Sequence, residues 1–136
     1  MPIKIIRTNP SYYELIDGTI LELIIRLDSV IQDKTEPYGY ALRTTNIAKT
    51  YVSKENRKPE LASPFTPSEL RAGIIEEDVD SQELSTNPSE YEIDNQIIEI
   101  RTIASQIKKT RFYSQDGEPV YSVDMVPLMK VKKKPL

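Results

Sequence analysis

The sequence predicts a mainly β fold: a duplicated antiparallel three-stranded meander, packed as a sandwich or closed as a barrel, with one short helix in a long central insertion. The first observation behind this is an internal echo. Tyr13-Glu14-Leu15-Ile16-Asp17-Gly18-Thr19-Ile20-Leu21-Glu22-Leu23 reappears, with one residue skipped, as Tyr91-Glu92-Ile93-Asp94-Asn95-Gln96-Ile97-Ile98-Glu99-Ile100. Farther on, Tyr40-Ala41-Leu42 answers Tyr121-Ser122-Val123, and Lys49 answers Lys130. A repeated unit implies a pseudo-symmetric architecture. The second observation is alternation: Leu21, Leu23, Ile25 and Leu27 are separated by Glu22, Arg26 and Asp28, a period of two that buries one face of a strand. The third is turn chemistry. Asp17-Gly18 and its echo Asp94-Asn95 both tolerate positive φ and read as two-residue hairpin turns.

The elements follow in order. Ile3-Lys4-Ile5-Ile6-Arg7 offers a leading strand. The first repeat covers residues 12–52: a short strand, the Asp17-Gly18 turn, a long strand, a loop, and a strand from Tyr40, Leu42 and Thr44 toward Tyr51-Val52. Residues 53–89 form a loop-rich acidic insertion carrying Pro59, Pro64, Pro67 and Pro88. Within it, Thr66-Pro67-Ser68-Glu69 is a capping box with proline at the first helical position. It predicts a helix over 67–72 that Gly73 ends in the left-handed conformation. Glu76-Glu77-Asp78-Val79-Asp80 reads as a solvated acidic stretch. The second repeat covers 90–131. Ser114-Gln115-Asp116-Gly117-Glu118-Pro119 is its turn. Tyr121, Val123, Met125, Met129 and Val131 share one strand face, with Ser122, Asp124, Lys130 and Lys132 on the other. Val126 and Leu128 interrupt that polar face, so its middle is expected to be covered. Pro127 cannot donate to a ladder and marks an edge or a bulge. Together these make one domain, residues 1–136.

The two long strands compete with helices. Thr19, Glu22, Arg26, Ser29 and Asp33 form a polar stripe at helical spacing, as Ile100, Ile103, Ala104 and Ile107 form an apolar one. If residues 19–33 and 96–110 were helices, the fold would be α+β. Strands are favoured because the turn chemistry survives in the repeat, whereas the capping box that Thr19 and Glu22 would give a helix is lost where Gln96 stands instead, and because isoleucine dominates both stretches.

Composition removes many chemistries. The chain has 0 His and 0 Cys, which excludes His-based triads, the usual zinc sites and disulfides. Its 4 glycines fit neither a P-loop nor a dinucleotide-binding spacing. Frequent proline with few thermolabile residues is compatible with a thermophilic source. Charges interrupt every apolar run, and Met1-Pro2-Ile3-Lys4 has no signal-peptide layout, so no membrane partner and a cytoplasmic location are expected. The net charge of −3 hides an acidic middle and a basic C-terminal third.

The candidate sites each have a plain competitor. Glu76, Glu77, Asp78, Asp80 and Glu83 are oxygen ligands in type, yet they lack the order of a calcium loop and read as solvated. Lys108, Lys109, Arg111, Phe112 and Tyr113 interleave cations with rings, as a strand gripping single-stranded nucleic acid or another partner would; the competing reading is a charged edge with inward aromatics. The run Lys130 to Leu136 reads as a frayed basic tail. The carboxylate pairs Glu22/Glu99 and Asp17/Asp94 would matter only if pseudo-symmetry brought them together. Tyrosines suit a recognition surface. The expected role is therefore a non-catalytic protein-interaction or assembly module that binds a protein partner or itself. No enzyme activity, cofactor, metal site or catalytic residue is assigned. The alternative is a single-stranded nucleic-acid-binding β-domain.

Overall fold

The computed structural model describes residues 2–134. In chain order the elements are β1 (Lys4–Arg7), β2 (Ser11–Leu15), β3 (Ile20–Gln32), β4 (Tyr40–Tyr51), two single-turn 3-10 helices (Lys54–Asn56 and Pro59–Leu61), α1 (Pro67–Ala72), β5 (Ile74–Glu76), β6 (Ser81–Ser85), β7 (Ser89–Ile93), β8 (Gln96–Tyr113) and β9 (Pro119–Lys133). All strand pairings are antiparallel. One sheet has the order β4-β3-β2-β6; the other has β1-β7-β8, with β9 along the far side of β8 and β5 beyond β7 on the near side. The sheets face each other as an open sandwich, which removes the barrel alternative. Residues 19–33 and 96–110 lie in β3 and β8 and their turns, so the α+β alternative falls too.

The meanders β2-β3-β4 and β7-β8-β9 share one register. Ser11 faces Leu23 and Tyr13 faces Leu21, as Ser89 faces Ile100 and Tyr91 faces Ile98. Leu21 opposes Thr50 and Val30 opposes Leu42, as Ile98 opposes Val131 and Ile107 opposes Val123. On that register Tyr40 is equivalent to Tyr121 and Lys49 to Lys130. The two tight turns differ. Asp94-Asn95 is a two-residue turn with φ of 47° and 60°. The first is a three-residue loop, Ile16-Asp17-Gly18, closed by the Leu15 N–H on the Thr19 carbonyl at 2.8 Å, with Gly18 at φ 85°. The single extra residue accounts for the skip in the echo.

The core has two halves built alike. In one, Ile25, Leu27 and Val30 of β3 pack on Tyr91, Ile93, Ile98 and Ile100. In the other, Tyr13, Leu15, Leu21 and Leu23 pack on Ala104 and Ile107 of β8. The start of each meander thus covers the far end of the other, so β3 and β8 run antiparallel across the sandwich. Each fully buried aliphatic side chain here contributes roughly 1.5–3 kcal/mol.

A β-bulge recurs at equivalent places, at Asp28 in β3 and Ser105 in β8. Beyond β2 and β7 the near sides of β3 and β8 have no ladder neighbour at this point. The N–H of Leu27 is met instead by the Tyr91 hydroxyl at 3.5 Å, and that of Ala104 by the Tyr13 hydroxyl at 3.1 Å. Each buried tyrosine therefore reaches across the sandwich to satisfy the opposite sheet's backbone, which a buried donor requires.

The leading strands are exchanged. β1 precedes β2 but pairs with β7; β6 precedes β7 but pairs with β2. The crossings are Thr8-Asn9-Pro10 and Thr86-Asn87-Pro88, each followed by a buried serine. Asparagine before proline is held extended, so neither segment turns back into a hairpin. The crossings touch: the Asn9 N–H donates to Ser89 Oγ and its side-chain amide to the Pro88 carbonyl, both at 2.9 Å.

Five expectations need correction. Asp17-Gly18 is not a two-residue turn but part of the three-residue loop Ile16-Asp17-Gly18. The insertion contributes two strands, β5 and β6, and Val79 within its acidic stretch is buried against the core. Gly73 ends α1 at φ −95°, outside the left-handed region; it is small because a Cβ there would lie 2.5 Å from the Phe112 ring. The capping box itself forms, with Glu69 N–H on Thr66 Oγ1 at 3.1 Å. Val126 and Leu128 are each 38% exposed rather than covered. The basic run is ordered as β9 to Lys133, with Lys132 on Glu99 and Lys134 on Glu92; Pro135 and Leu136 lie outside the described residues.

Candidate functional site

An antiparallel strand turns its backbone groups alternately to either side. In β4 the direction is set by neighbouring bonds. The Asp33 N–H meets the Gly39 carbonyl, and the Leu27 N–H turns away from β4 to Tyr91. With the observed register, Arg43, Thr45, Ile47 and Lys49 therefore bond to β3, while Leu42, Thr44, Asn46 and Ala48 present N–H and C=O groups to the free side. Among the described residues no strand pairs with that side of β4.

Among the described residues the sandwich has four other outer edges, and each is blunted. β5 is only 3 residues long, with a bulge at Ile75. β1 and β6 are 4 and 5 residues long, and each carries a bulge, at Ile6 and Leu84. Short bulged strands make poor templates for a further strand. β9 is longer, at 15 residues, but Pro127 sits at its middle. Pro127 faces Thr102, whose carbonyl accepts from Ser11 Oγ at 2.7 Å instead of from β9, so the donor that proline lacks would have faced outward. Lys130, Lys132 and Lys133 add charge to that edge. β4 runs 12 residues without proline or bulge, and its centre, Thr44-Thr45-Asn46-Ile47-Ala48, is uncharged.

β4 and β9 border the same open side. Between them lies a cleft of about 340 Å³ lined by Tyr40, Leu42, Thr44, Ile100, Pro127 and Met129. A smaller cleft of about 170 Å³ lies at equivalent positions, among Leu21, Ala48, Thr50, Tyr121 and Val123. The inner faces of both strands are accordingly half-buried at Leu42, Thr44, Val123 and Met129 and exposed at Asn46, Ala48 and Pro127.

The cation-aromatic group falls on the C-terminal half of β8 and is largely occupied. Lys108 pairs with Asp124 at 3.4 Å. Lys109 is half-buried, opposite Tyr121 and Glu76. Phe112 is 5% exposed, against Phe65 at 5.0 Å between ring centroids, with the Arg111 guanidinium 4.7 Å above its ring. Tyr113 is half-buried beside the turn. The five residues therefore present cations but no open stacking ring at Phe112. A separate cavity of about 600 Å³ lies beside them, between Ala62-Ser63-Pro64-Phe65 and Ser114-Gln115.

The equivalent carboxylates are not brought together. Glu22 is 9% exposed on the outer face of its sheet, where Tyr12 and Tyr51 donate hydroxyls to its two oxygens at 2.6 and 3.0 Å. Donating to Glu22 is also the chief reason both phenols are held above their ordinary pKa. Glu99, on the outer face of the other sheet, is paired with Lys132. Asp17 accepts from the Tyr121 hydroxyl at 2.6 Å, whereas Asp94 occupies a turn at positive φ. Burial pushes the Asp17 carboxyl upward, but the Tyr121 hydroxyl, the Thr19 amide and nearby Lys109 together hold it below its usual value. Tyr121 moves up, first through burial and then through Asp17.

The two crossings carry a sequence signal of their own. Thr8-Asn9-Pro10-Ser11 and Thr86-Asn87-Pro88-Ser89 are identical, and they sit just ahead of the echo noted from Tyr13 and Tyr91. The unguarded centre of β4 had no comparable signature, because an edge is a property of the assembled sheet.

Among the described residues no group of three or more Asp or Glu side chains is placed to hold a metal ion, and no helix is long and apolar enough to cross a membrane. Comparison with protein-family models, curated proteins and solved structures gave no match.

Proposed function

We propose that this chain is a non-catalytic interaction module that takes an additional β-strand from a protein partner along β4. The observation that carries the reading is the row of outward backbone groups from Leu42 to Ala48 on an edge that, among the described residues, is long, free of proline and bulge, and uncharged at its centre. Main-chain hydrogen bonds supply affinity in such strand addition, and pockets for alternate side chains supply selectivity. The half-buried cleft beneath Leu42 and Thr44 is placed to receive inward side chains of an added strand. The nucleic-acid reading has weaker support, since Phe112 is enclosed and Lys108 is already paired.

Asn46→Pro tests the reading. It removes an outward donor and leaves the β3 ladder intact, so the variant folds with its edge blocked. Wild-type and Asn46→Pro proteins, immobilised side by side, are exposed to lysate of the source cells. A protein retained by the wild type and not by the variant supports strand addition; identical retained sets refute it.

A further inference from the structure

We infer that the strand added to β4 is β4 of a second copy of this chain, in antiparallel register with Thr45 opposite Thr45. The inference rests on the strand-addition reading above and names its partner.

The register follows from three constraints. A two-fold axis perpendicular to the sheet keeps each face of β4 opposite the same face of its mate, since a one-residue slip would oppose inner to outer side chains. Only registers centred on a residue satisfy this. The two that overlap the strand most fully are centred on Thr45 and on Asn46. Centring on Asn46 sets Arg43 against Lys49 twice, and like charges directly opposite are unfavourable. Centring on Thr45 sets Arg43 against Ile47, whose exposed side chain can lie along the arginine stem, and Lys49 against Ala41.

The same register suits the backbone. It aligns Thr44 with Asn46 and Leu42 with Ala48, all of which turn their N–H and C=O groups outward, so both partners of each pair can exchange bonds. It also joins Leu42 to Ala48 across the interface on the inner face, lengthening the apolar row that borders the cleft. Thr45 bonds inward to β3, which makes Thr45 with Thr45 a non-bonded pair at the axis, with Cα atoms about 4.5 Å apart. The result is two four-stranded sheets continued into one of eight.

The absence of cysteine allows a direct test. Thr45→Cys places one thiol on each side of the axis, within the span of about 4.4–6.8 Å that a disulfide bridges between Cα atoms. Ile47→Cys places the thiols four residues out of register, about 14 Å apart along the strands. Mild oxidation of full-length Thr45→Cys should give a covalent dimer at least tenfold faster than Ile47→Cys. Light scattering on the wild type should show mass rising from one chain to two with concentration, and Asn46→Pro should abolish the rise. A Thr45→Cys protein that stays monomeric, or equal cross-linking at both positions, overturns the inference. A fluorescent peptide of residues 40–51, titrated with full-length wild-type and Asn46→Pro protein, separates that failure from failure of strand addition. Binding lost in the variant leaves strand addition standing and removes only the two-fold dimer; no binding removes self-pairing, and strand addition by another protein then stands or falls with the retention experiment above.

Discussion

At the residue scale, two tyrosines and one carboxylate do more than fill space. Tyr13 and Tyr91 are buried rings whose hydroxyls serve backbone donors freed by a bulge in the facing sheet. Tyr91→Phe and Tyr13→Phe keep the ring but leave Leu27 or Ala104 N–H unpaired, so each should cost about 1–3 kcal/mol in urea unfolding. Exposed Tyr38→Phe should change stability by less than about 0.5 kcal/mol. Amide exchange at Leu27 or Ala104 should quicken selectively; if stability is unchanged, the tyrosines act only as apolar fillers. The Asp17–Tyr121 bond predicts a pH dependence of known sign. Asp17 titrates near 3.8 when unfolded and lower when folded, so its contribution is complete above 3.8 and drains as pH falls toward the folded value. Tyr121 titrates near 10.0 when unfolded and higher when folded, so its contribution is complete below 10.0 and is lost as pH rises past it. Tyr121→Phe should therefore cost about 1–2 kcal/mol at neutral pH. Denaturation across a pH series should show that gap narrowing at both extremes, and a constant gap would sink the assignment.

At the element scale, the bulges explain why the long strands resembled helices. Inward positions in β8 run Ile98, Ile100, Thr102, Ala104 and then, past Ser105, Ile107; in β3 they run Leu23, Ile25, Leu27 and then Val30. One extra residue turns a step of two into a step of three, which is the source of the helix-like stripe around Ile103 to Ile107. Alternation, the Asp94-Asn95 turn and the Thr66 capping box were legible because each depends on neighbours in sequence. The Ile16–Gly18 loop length, the ordered basic run and the enclosure of Phe112 were not, because contacts across the sheets decide them. Gly73 shows the same limit: it reads locally as a helix stop, yet its size is set by Phe112, distant in sequence. The alternation of β4 gives a paired prediction. Asn46→Pro should stay within about 1 kcal/mol of wild type, whereas Ile47→Pro removes a ladder bond to Ile24 and should cost about 1–3 kcal/mol more. Thermal unfolding of the two variants checks this; similar losses would mean the outward direction at Asn46 is misassigned.

At the scale of the whole molecule, exchange of β1 and β6 interlocks the halves. The sheet built on β2-β3-β4 includes a strand from the second half, and the sheet built on β7-β8-β9 includes one from the first. The crossings bond to each other through Asn9, Pro88 and Ser89, and both core halves draw on both meanders. The connection from β4 to α1 holds the halves far less. Its residues from Ser53 to Phe65 are mostly exposed, tied down by the Asn56 side-chain amide on the Asp17 carbonyl at 3.0 Å, the Lys58 N–H on the Gly117 carbonyl at 2.7 Å, Arg57 with Glu118 at 3.1 Å, and Phe65 against Phe112. A cut there severs one covalent link and leaves every ladder pairing in place. Exposed loops of this kind accept an inserted protease site, here between Lys54 and Arg57. After cleavage the two fragments should elute together at the position of the intact chain and separate only in denaturant. Fragments that part under native conditions would show that the exchanged strands and shared core do not hold the halves, and the interlocked description of the fold would have to be withdrawn.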